Sequence, residues 1–468
     1  MTMMTILLAS LYLALGVLIA AVEIQRMRAR RPFNALSLFN GAYFLFFVFA
    51  PLNVLVLGEA GVRQKYAYQT WSHGDIWTAL ALMLSYVLFV LGYHRRGKSE
   101  PGVGVGAGPH AIRTVFWLIG GFFLLGGMAL AYHVSLMGGV IEALQFAPGS
   151  RTGEFQLEGQ ALFVRQFAFF LATAFMLSWA AYIDTDASGR VPRAYRQFLL
   201  VLLGLVFVYY ALSTYGRREF LYPMIICLII WTVAGQRRLW GGLGWLLALG
   251  IVWFVVYSVM IPAAAQPATQ PATQPATQPA TDFLWDAYLR TTQGLGDSFM
   301  HFVAAEHATL WQFGFLTDLR EIPAQFLPSQ MLGFERPRGM LGETSEFILG
   351  RPLEPGLSGE EPLGLHGYLL VNFAYPGMFL LFYLAGIGYR ALDAALRPAK
   401  GGSALSWLVF LWAMVGALEF FREGVLIFVL KPRFSWWLAI GILLWFGHRR
   451  AARTNTTFQQ PSRQTPHP

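Results

Sequence analysis

The sequence predicts an all-α, polytopic integral membrane protein: a helical bundle of about eleven spans with one large external loop between spans 8 and 9. Three observations support this prediction. Of the 468 residues, 56% are hydrophobic and only 13% are charged. Apolar runs long enough to cross a hydrocarbon core of about 30 Å recur along the chain. The loops between these runs alternate in their content of positive charge.

The first apolar run covers residues 3–22 and has the charge order of a retained span. No basic residue precedes it, and four arginines lie in the loop that follows, which reverses the order of a cleavable signal peptide. We therefore expect the N-terminus to lie outside. The later spans are expected near 33–57, 76–93, 115–137, 161–183, 198–214, 219–234, 242–261, 368–389, 404–421 and 434–447. Lys431, Pro432 and Arg433 interrupt the apolar sequence before the last span, so 425–430 could instead be re-entrant or interfacial.

The loops test this layout, because Lys and Arg near span ends stay on the cytoplasmic side. The loops assigned to the inner side are 23–32, 94–114, 184–197, 235–241, 390–403 and 448–468. Together they contain 20 of the 34 Lys and Arg residues and five acidic residues, a net charge of +15. The outer face and the spans then have 14 basic and 20 acidic residues. The basic pI therefore reflects topology and anionic lipid headgroups. It gives no reason to expect a nucleic-acid partner.

Five segments follow from this layout. Residues 1–261 form transmembrane helices 1–8, and 366–447 form the C-terminal spans, which a cytoplasmic tail follows at 448–468. Between them, 262–282 is a linker with four Gln-Pro-Ala-Thr units, a low-complexity sequence that cannot bury a core. The external loop is 283–365. Its helical spacing predicts an amphipathic helix on the membrane surface. Asp297 and His301 form the polar face. The apolar face consists of Phe299, Phe302, Val303, Leu310 and Phe313.

Metal and redox chemistry have little support in the sequence, and we expect neither a metal nor a cofactor. Cys227 is the single cysteine and lies in an apolar helix, where we interpret it as a buried packing residue. His301 and His307 are six residues apart, which is not the usual spacing of two metal ligands on one helix face. Asp184-Thr-Asp186 lies on the predicted inner side and is interpreted as a loop turn.

Two arginines lie on the predicted outer face against the topological charge bias. Arg217 and Arg218 belong to a very short loop, 213–219, between two apolar helices. Guanidinium groups bind phosphate oxygens bidentately, so this loop predicts an anion site. Arg151, in the outer loop 138–160, is a further candidate ligand, and an incidental ion pair is the alternative.

Other arginines of the outer side have the same two interpretations. Arg336 and Arg338 alternate in a loop rich in Gly, Pro and charge, which could bind a sugar and a phosphate or simply be solvated. Arg422 lies within about one helical turn of Glu419 and Glu423, so it is either a phosphate ligand or part of a salt-bridged span end.

His366 directly opens the span that follows the external loop, so we expect it at the outer water interface; a capping or headgroup-level histidine is the alternative. His366, Leu370 and Gly377, after a large external loop, resemble the signature region of the O-antigen ligase and polymerase superfamily. The Tyr215-Gly-Arg-Arg218 turn is similar to the Gly/Ser-Arg turn of the repeat-unit polymerases of that superfamily, the Wzy-type proteins. Family members usually have Asn or Ser where this chain has Gly367.

The resemblance implies glycosyl transfer at the outer face of the bacterial inner membrane, with a periplasmic N-terminus and a cytoplasmic C-terminus. A polyprenyl-diphosphate-linked glycan would be transferred to the non-reducing end of a lipid-linked repeat unit. Arg217 and Arg218 would bind the departing diphosphate without a metal, and Arg336 and Arg338 would form a second clamp. The proton acceptor for the attacking hydroxyl would be one of three residues, His366, Glu343 or Glu346.

Further partners and alternatives follow from the same resemblance. A chain-length regulator and a flippase are implied as working partners. A ligase that moves finished glycan to lipid A core shares the histidine region and is the nearest alternative. A lipid-linked oligosaccharide flippase, or another secondary transporter, is a different class that would show internal repeats and charged or broken helices near the bilayer midplane.

Overall fold

The computed structural model describes residues 3–28, 34–61, 74–95, 109–152, 164–186, 192–214, 217–234, 295–307, 363–398, 402–424 and 433–445. Over these ranges the chain is helical and contains no strand, which confirms the predicted all-α class. Among the described residues, seven helices are long and apolar enough to cross a membrane: Met3–Arg28, Ala35–Leu57, Ile76–His94, Arg113–Leu136, Val164–Asp184, Gly364–Leu396 and Ala404–Glu423. Three shorter apolar helices accompany them: Gln197–Ser213, Glu219–Val233 and Phe434–Trp445. The predicted span 242–261 and the linker 262–282 lie outside the described residues.

We number the helices in chain order. They are α1 (Met3–Arg28), α2 (Ala35–Leu57), α3 (Ile76–His94), α4 (Pro109–Leu136), α5 (Val140–Thr152), α6 (Phe170–Asp186), α7 (Arg193–Ser213), α8 (Arg217–Val233), α9 (295–307), α10 (Gly364–Leu396), α11 (Ala404–Glu423) and α12 (Phe434–Trp445). Large apolar side chains remain exposed on the outer helices, including Trp117 and Val17. Such surfaces are expected where helices face lipid. Cys227 is buried in α8, as predicted.

One end of the bundle, which we call the Asp393 end, is held by carboxylates that bind backbone N–H groups. Asp393 accepts hydrogen bonds from the N–H of Ala35 at 3.2 Å and from the hydroxyl of Tyr93 at 2.9 Å. Asp184 accepts from the first two N–H groups of α11, those of Ala404 and Leu405, at 2.7 and 3.0 Å. Asp184 is therefore helical and caps a neighbouring helix, so its interpretation as a loop turn is wrong.

The opposite end, which we call the Glu419 end, joins the other termini of the same helices. Glu419 of α11 binds Arg433, immediately before α12. The hydroxyl of Ser298 in α9 donates to the carbonyl of Arg422 at 3.1 Å. The hydroxyl of Tyr209 in α7 donates to the carbonyl of Val140, the first residue of α5, at 3.0 Å. Asp393 and Gly364 of α10 therefore lie at opposite ends, and α11 runs back in the reverse direction from Ala404 to Glu423.

Helices α3 and α10 pack with their backbones in close approach. A Cβ atom at Gly92 would collide with the carbonyl of Tyr383, and one at Gly386 would collide with the carbonyl of Phe89. Only glycine fits at these two positions. Small residues at such crossings bring membrane helices together without a hydrophobic driving force.

Helix α10 is broken near its first third. Ala374 has φ 55° and ψ −178°, a conformation that is accessible almost only to glycine, and Pro376 follows two residues later. The segment from Gly364 to Asn372 is buried along its whole length. The break separates this buried half-helix from the longer remainder of α10.

Helix α9 is also buried on every face between residues 296 and 305. The sequence correctly predicts a helix over these residues, and Phe299 and Phe302 of its apolar face are buried in the core of the bundle. Leu310 and Phe313 lie outside the described residues. However, the expected exposed polar face is wrong, because Asp297 and His301 are 3% and 0% exposed. The ring of Phe299 packs on Tyr12 of α1 and that of Phe302 packs on His366 of α10, so neighbouring helices cover α9.

Candidate anion-binding site

A buried ion pair organises the Glu419 end. Arg433 donates from Nε to one oxygen of Glu419 at 2.9 Å and from Nη2 to the other at 2.7 Å. Its guanidinium also lies 4.5 Å from the ring centre of Trp436 and 5.3 Å from that of Tyr222. Both side chains of the pair are only 5% exposed. This bidentate, aromatic-covered geometry satisfies Arg433 internally and gives it a structural role.

Arg422 lies nearby in a looser environment. Its closest approach to Glu423 is 3.9 Å, and 18% of its side chain is exposed. It also lies within electrostatic range of Tyr222 on α8 and of Asp297 on α9. The predicted salt-bridged span end is therefore only partly right, because Glu419 binds Arg433 and leaves Arg422 without a short ion pair to it. Arg422 is the more accessible guanidinium of the two.

The arginine turn of the sequence lies at this same end. Arg217 is the first residue of α8, so Arg217 and Arg218 begin a helix, and the expectation that both belong to a loop is wrong. Arg218 is one helical turn before Tyr222, which places the two residues on one face of α8. The ring of Tyr222 lies under the guanidinium of Arg433, and Tyr222 is within electrostatic range of Arg422. The first turn of α8 therefore faces the end of α11, and a helix N-terminus favours an anion.

A third arginine approaches the turn from the other side. Arg165 donates to the carbonyl of Thr214, the last described residue before the turn, at 3.5 Å. His133 of α4 lies close to the backbone of Ser213 and within electrostatic range of Arg165. Tyr210, one turn earlier in α7, lies within range of both Arg165 and Arg433. Sequence analysis identified none of these three residues, Arg165, His133 and Tyr210, as a candidate site residue.

His366 begins α10 as expected, but its side chain is wholly buried, and the expectation that it lies at the water interface is wrong. Five rings surround it, with centroid distances of 4.2 to 5.6 Å: Tyr43, Phe47, Phe302, Phe382 and Phe421. Helix α2 contributes two of them because a π-helical turn, Leu45–Phe49, directs Phe47 inward. Such turns are rare and often mark functional positions.

The hydrogen bonds of His366 define its tautomer. The hydroxyl of Tyr43 donates to the carbonyl of Leu82 at 2.7 Å, so its oxygen accepts from Nε2 of His366 at 3.1 Å. Nδ1 then keeps its lone pair and has no partner among the described residues. In this arrangement His366 has no contact with water through which it could accept a proton from a substrate.

Glu306 is a further carboxylate that the sequence analysis did not single out. It accepts hydrogen bonds from the hydroxyls of Thr78 and Tyr375, which links α9 to the start of α3 and to the residue after the α10 break. Burial raises the pKa of Glu306 above its ordinary value, and the nearby charge of Asp75 acts in the same direction. Its signal in the sequence is weak, because it is one glutamate among several in the predicted external loop 283–365.

Several predicted residues are not tested by this geometry. Arg336, Arg338, Glu343 and Glu346 lie outside the described residues. Arg151 belongs to the last turn of α5, and its side chain is not described. Over the described part of the chain, no group of three His, Cys, Asp or Glu residues could hold a metal ion.

The chain was compared with protein-family models, with curated proteins and with solved structures. None of them matches. The interpretation of the site therefore depends on its own geometry and chemistry, together with the resemblance of the two short sequence regions.

Proposed function

We propose that this protein is a membrane glycosyltransferase, a polymerase that transfers a polyprenyl-diphosphate-linked glycan to a lipid-linked repeat unit at the outer face of the bacterial inner membrane. The observation that supports it best is the meeting of Arg422 with the first turn of α8 across Tyr222. Arg218 belongs to that turn and shares its helix face with Tyr222. A buried charged cluster at one end of a membrane bundle is a functional site by default.

The chemistry needs a stabiliser for the departing diphosphate, whose negative charge grows as the glycosidic carbon–oxygen bond breaks. Guanidinium groups that are already oriented stabilise this charge without a metal. Arg433 cannot take this part, because Glu419 neutralises it. It instead holds Tyr222 and α12 in place, while Arg217, Arg218 and Arg422 are assigned to the phosphates. Arg336 and Arg338 stay proposed as the second clamp.

We do not assign the proton acceptor to a single residue. His366 has no path to a substrate in this arrangement, since rings enclose it. Glu343 and Glu346 remain candidates from the sequence. A carboxylate or histidine that reaches the arginine site would serve equally well in chemical terms.

The first test uses a strain whose own copy of the gene is deleted, complemented at matched protein levels. We expect the wild type and Arg28→Ala to give a long glycan ladder on a gel, because Arg28 is exposed at the Asp393 end. Arg217→Ala and Arg422→Ala should leave single repeat units, with transfer reduced about 100-fold. A full ladder with both site variants would contradict the proposed arginine site.

The same strain distinguishes the alternatives. A ligase would show polymer that accumulates on its polyprenyl carrier while lipid A stays uncapped. An unchanged ladder in the deletion strain would rule out both enzymes.

A transporter of lipid-linked oligosaccharide is the second candidate, and the break of α10 at Ala374 favours it. Discontinuous helices mark the substrate sites of many secondary transporters. Loss of a transporter would leave repeat units on the cytoplasmic leaflet, whereas loss of a polymerase would leave them on the outer leaflet. The leaflet is measured by the access of an added glycosidase to the repeat units in spheroplasts.

A further inference from the structure

The hydroxyl of Thr78, in the first turn of α3, lies between two carboxyl groups. Asp75 caps α3: its Oδ1 accepts the backbone N–H of Thr78 at 2.8 Å and lies 3.1 Å from the Thr78 hydroxyl. Oε2 of Glu306 contacts the same hydroxyl from α9. The hydroxyl oxygen also accepts the N–H of Asp75 at 3.1 Å. One hydroxyl group therefore meets two carboxyl oxygens and one N–H donor.

This arrangement needs one proton more than two ionised carboxylates supply. A threonine hydroxyl has one hydrogen and two lone pairs, and the N–H of Asp75 occupies one lone pair. As ionised groups, Asp75 and Glu306 would both have to accept the single hydrogen of Thr78. If Glu306 instead carries a proton, it donates to the second lone pair, and Thr78 donates to Asp75. Every contact then has its own hydrogen.

Glu306 is better suited to hold this proton than Asp75. Asp75 is exposed to water, which solvates a negative charge. Glu306 is partly buried, and burial raises its pKa. The other oxygen of Glu306 accepts from the hydroxyl of Tyr375, just after the break of α10, and the carbonyl oxygen of a protonated carboxyl group accepts such a bond equally well.

The other titratable groups around Glu306 do not neutralise it. Tyr12 of α1 and Tyr375 of α10 face it, and phenols are neutral at physiological pH. His307, the next residue of α9, is exposed, so water and salt screen its charge. Within the described part of the chain, Glu306 has no ion pair with an arginine or a lysine. Neutralisation of its charge is thus left to a proton.

We propose that Glu306 binds one proton, which it shares with Asp75 through the hydroxyl of Thr78, and that this proton locks α9 onto α3 beside the break of α10. The site is independent of the proposed function, since it would serve an enzyme and a transporter alike. When the proton leaves, two negative charges face one hydroxyl hydrogen. Helix α9 then loses its hold on α3, while Ser298 still binds α11 at the other end of α9.

Acidic pH should hold α9 in place, and alkaline pH should loosen it. Because the pKa of Glu306 is raised in the folded protein, protonation stabilises the fold. This stabilisation is complete below the ordinary pKa of a glutamate and is lost as the pH rises through the raised pKa.

Infrared spectroscopy of the purified protein detects the proton directly, because a protonated carboxyl group has a C=O stretch that an ionised carboxylate lacks. Glu306→Gln should remove one such band at pH 6, and the same band should fade in the wild type as the pH is raised. Glu142→Gln, at an exposed position, is the control and should leave the band intact. If the wild type and Glu306→Gln show the same protonated bands at every pH, the proposal is overturned.

Asp75→Asn distinguishes a shared proton from simple burial of Glu306. Asparagine caps a helix as well as aspartate does, so α3 should keep its start. Without the second negative charge, Thr78 can donate to an ionised Glu306, and the band should fade at a pH about one unit lower than in the wild type. If the band fades at the same pH in both proteins, burial alone holds the proton and the shared site is wrong.

Hydrogen exchange of the α9 amides measures the lock. Glu306→Gln imitates the protonated form, since its amide donates to Thr78 and accepts from Tyr375 but cannot ionise. Dividing the wild-type rate by the Glu306→Gln rate at the same pH cancels the intrinsic pH dependence of exchange. We expect a ratio of about one at low pH that rises up to about tenfold per pH unit above the pKa of Glu306. A ratio that does not change with pH would mean that the proton does not control α9.

Discussion

At the residue scale, the two arginines of the Glu419 end, Arg422 and Arg433, differ in how fully the protein pairs their charge. Arg433 has a bidentate carboxylate and two aromatic rings, whereas the carboxylate paired with Arg422 is 3.9 Å away. A guanidinium that is fully satisfied in the protein gains little from a phosphate. The less enclosed Arg422 can exchange its long contact for a substrate oxygen, which is why we assign it to the diphosphate.

The ion pair itself gives the first stability prediction. Glu419→Gln should lower the free energy of unfolding by about 3–5 kcal/mol, because it leaves a buried guanidinium uncompensated. The double variant with Met at both 419 and 433 should recover most of this loss, since two apolar side chains need no partner. Thermal unfolding in detergent measures the difference, with Glu142→Gln, an exposed glutamate at the same end, as the control. A double variant as unstable as the single one would contradict the argument.

Single residues also show where sequence reasoning stops. Cys227 and the helix start at His366 follow from apolar pattern and position. The pairing of Glu419 with Arg433 does not, because 14 residues separate the two and a helical turn offers Arg422 as the nearer partner. Tyr210 and His133 carry no sequence signal either, since only the packing of α4, α6 and α7 shows that their polar atoms are buried.

At the scale of elements, periodicity predicted the existence of α9 but not its place. The spacing of Phe299 and Phe302 indicates a helix with one apolar face, and a surface helix is the simplest solution for it. In the structure, the polar side has partners as well: Ser298 binds α11, and Glu306 binds α3 and α10. Burial of a polar face depends on neighbours that are distant in sequence.

The position of the break in α10 cannot be predicted from the sequence either, because Pro376 would permit a kink at any of several neighbouring residues. The strained residue is Ala374, whose conformation favours glycine. Ala374→Gly should therefore raise the free energy of unfolding by about 1 kcal/mol, the lower part of the range for strained backbone positions. Ala391→Gly, at an exposed position in the regular part of α10, should lower it by about 1 kcal/mol. Shifts of the melting temperature in opposite directions for the two variants would agree with the break. A lower melting temperature in both variants would argue against it.

At the scale of the whole molecule, the alternating loop charges anticipated that helix ends would sort into two groups. The contacts form these two groups: Asp184 and Asp393 join helix ends at one side, and Glu419, Arg165 and Ser298 join them at the other. Apolar runs locate the spans, because each span must satisfy its own backbone hydrogen bonds in lipid. The loop charges then sort the span ends into two groups. Charge bias alone predicts which end of the bundle lies outside, and this orientation decides whether the arginine site can meet the proposed outer-leaflet substrate.

Orientation can be measured with the native chain as background, because Cys227 is buried and should not react with a thiol reagent. Gln145→Cys introduces an exposed thiol on α5 at the Glu419 end, and Ala194→Cys introduces one on α7 at the opposite end. If the Glu419 end is periplasmic, a membrane-impermeant maleimide should label Gln145→Cys in intact spheroplasts and label Ala194→Cys only after permeabilisation. The reverse pattern would place the arginines in the cytoplasm. An outer-leaflet diphosphate could not then reach them, and the proposed polymerase site would be excluded by topology.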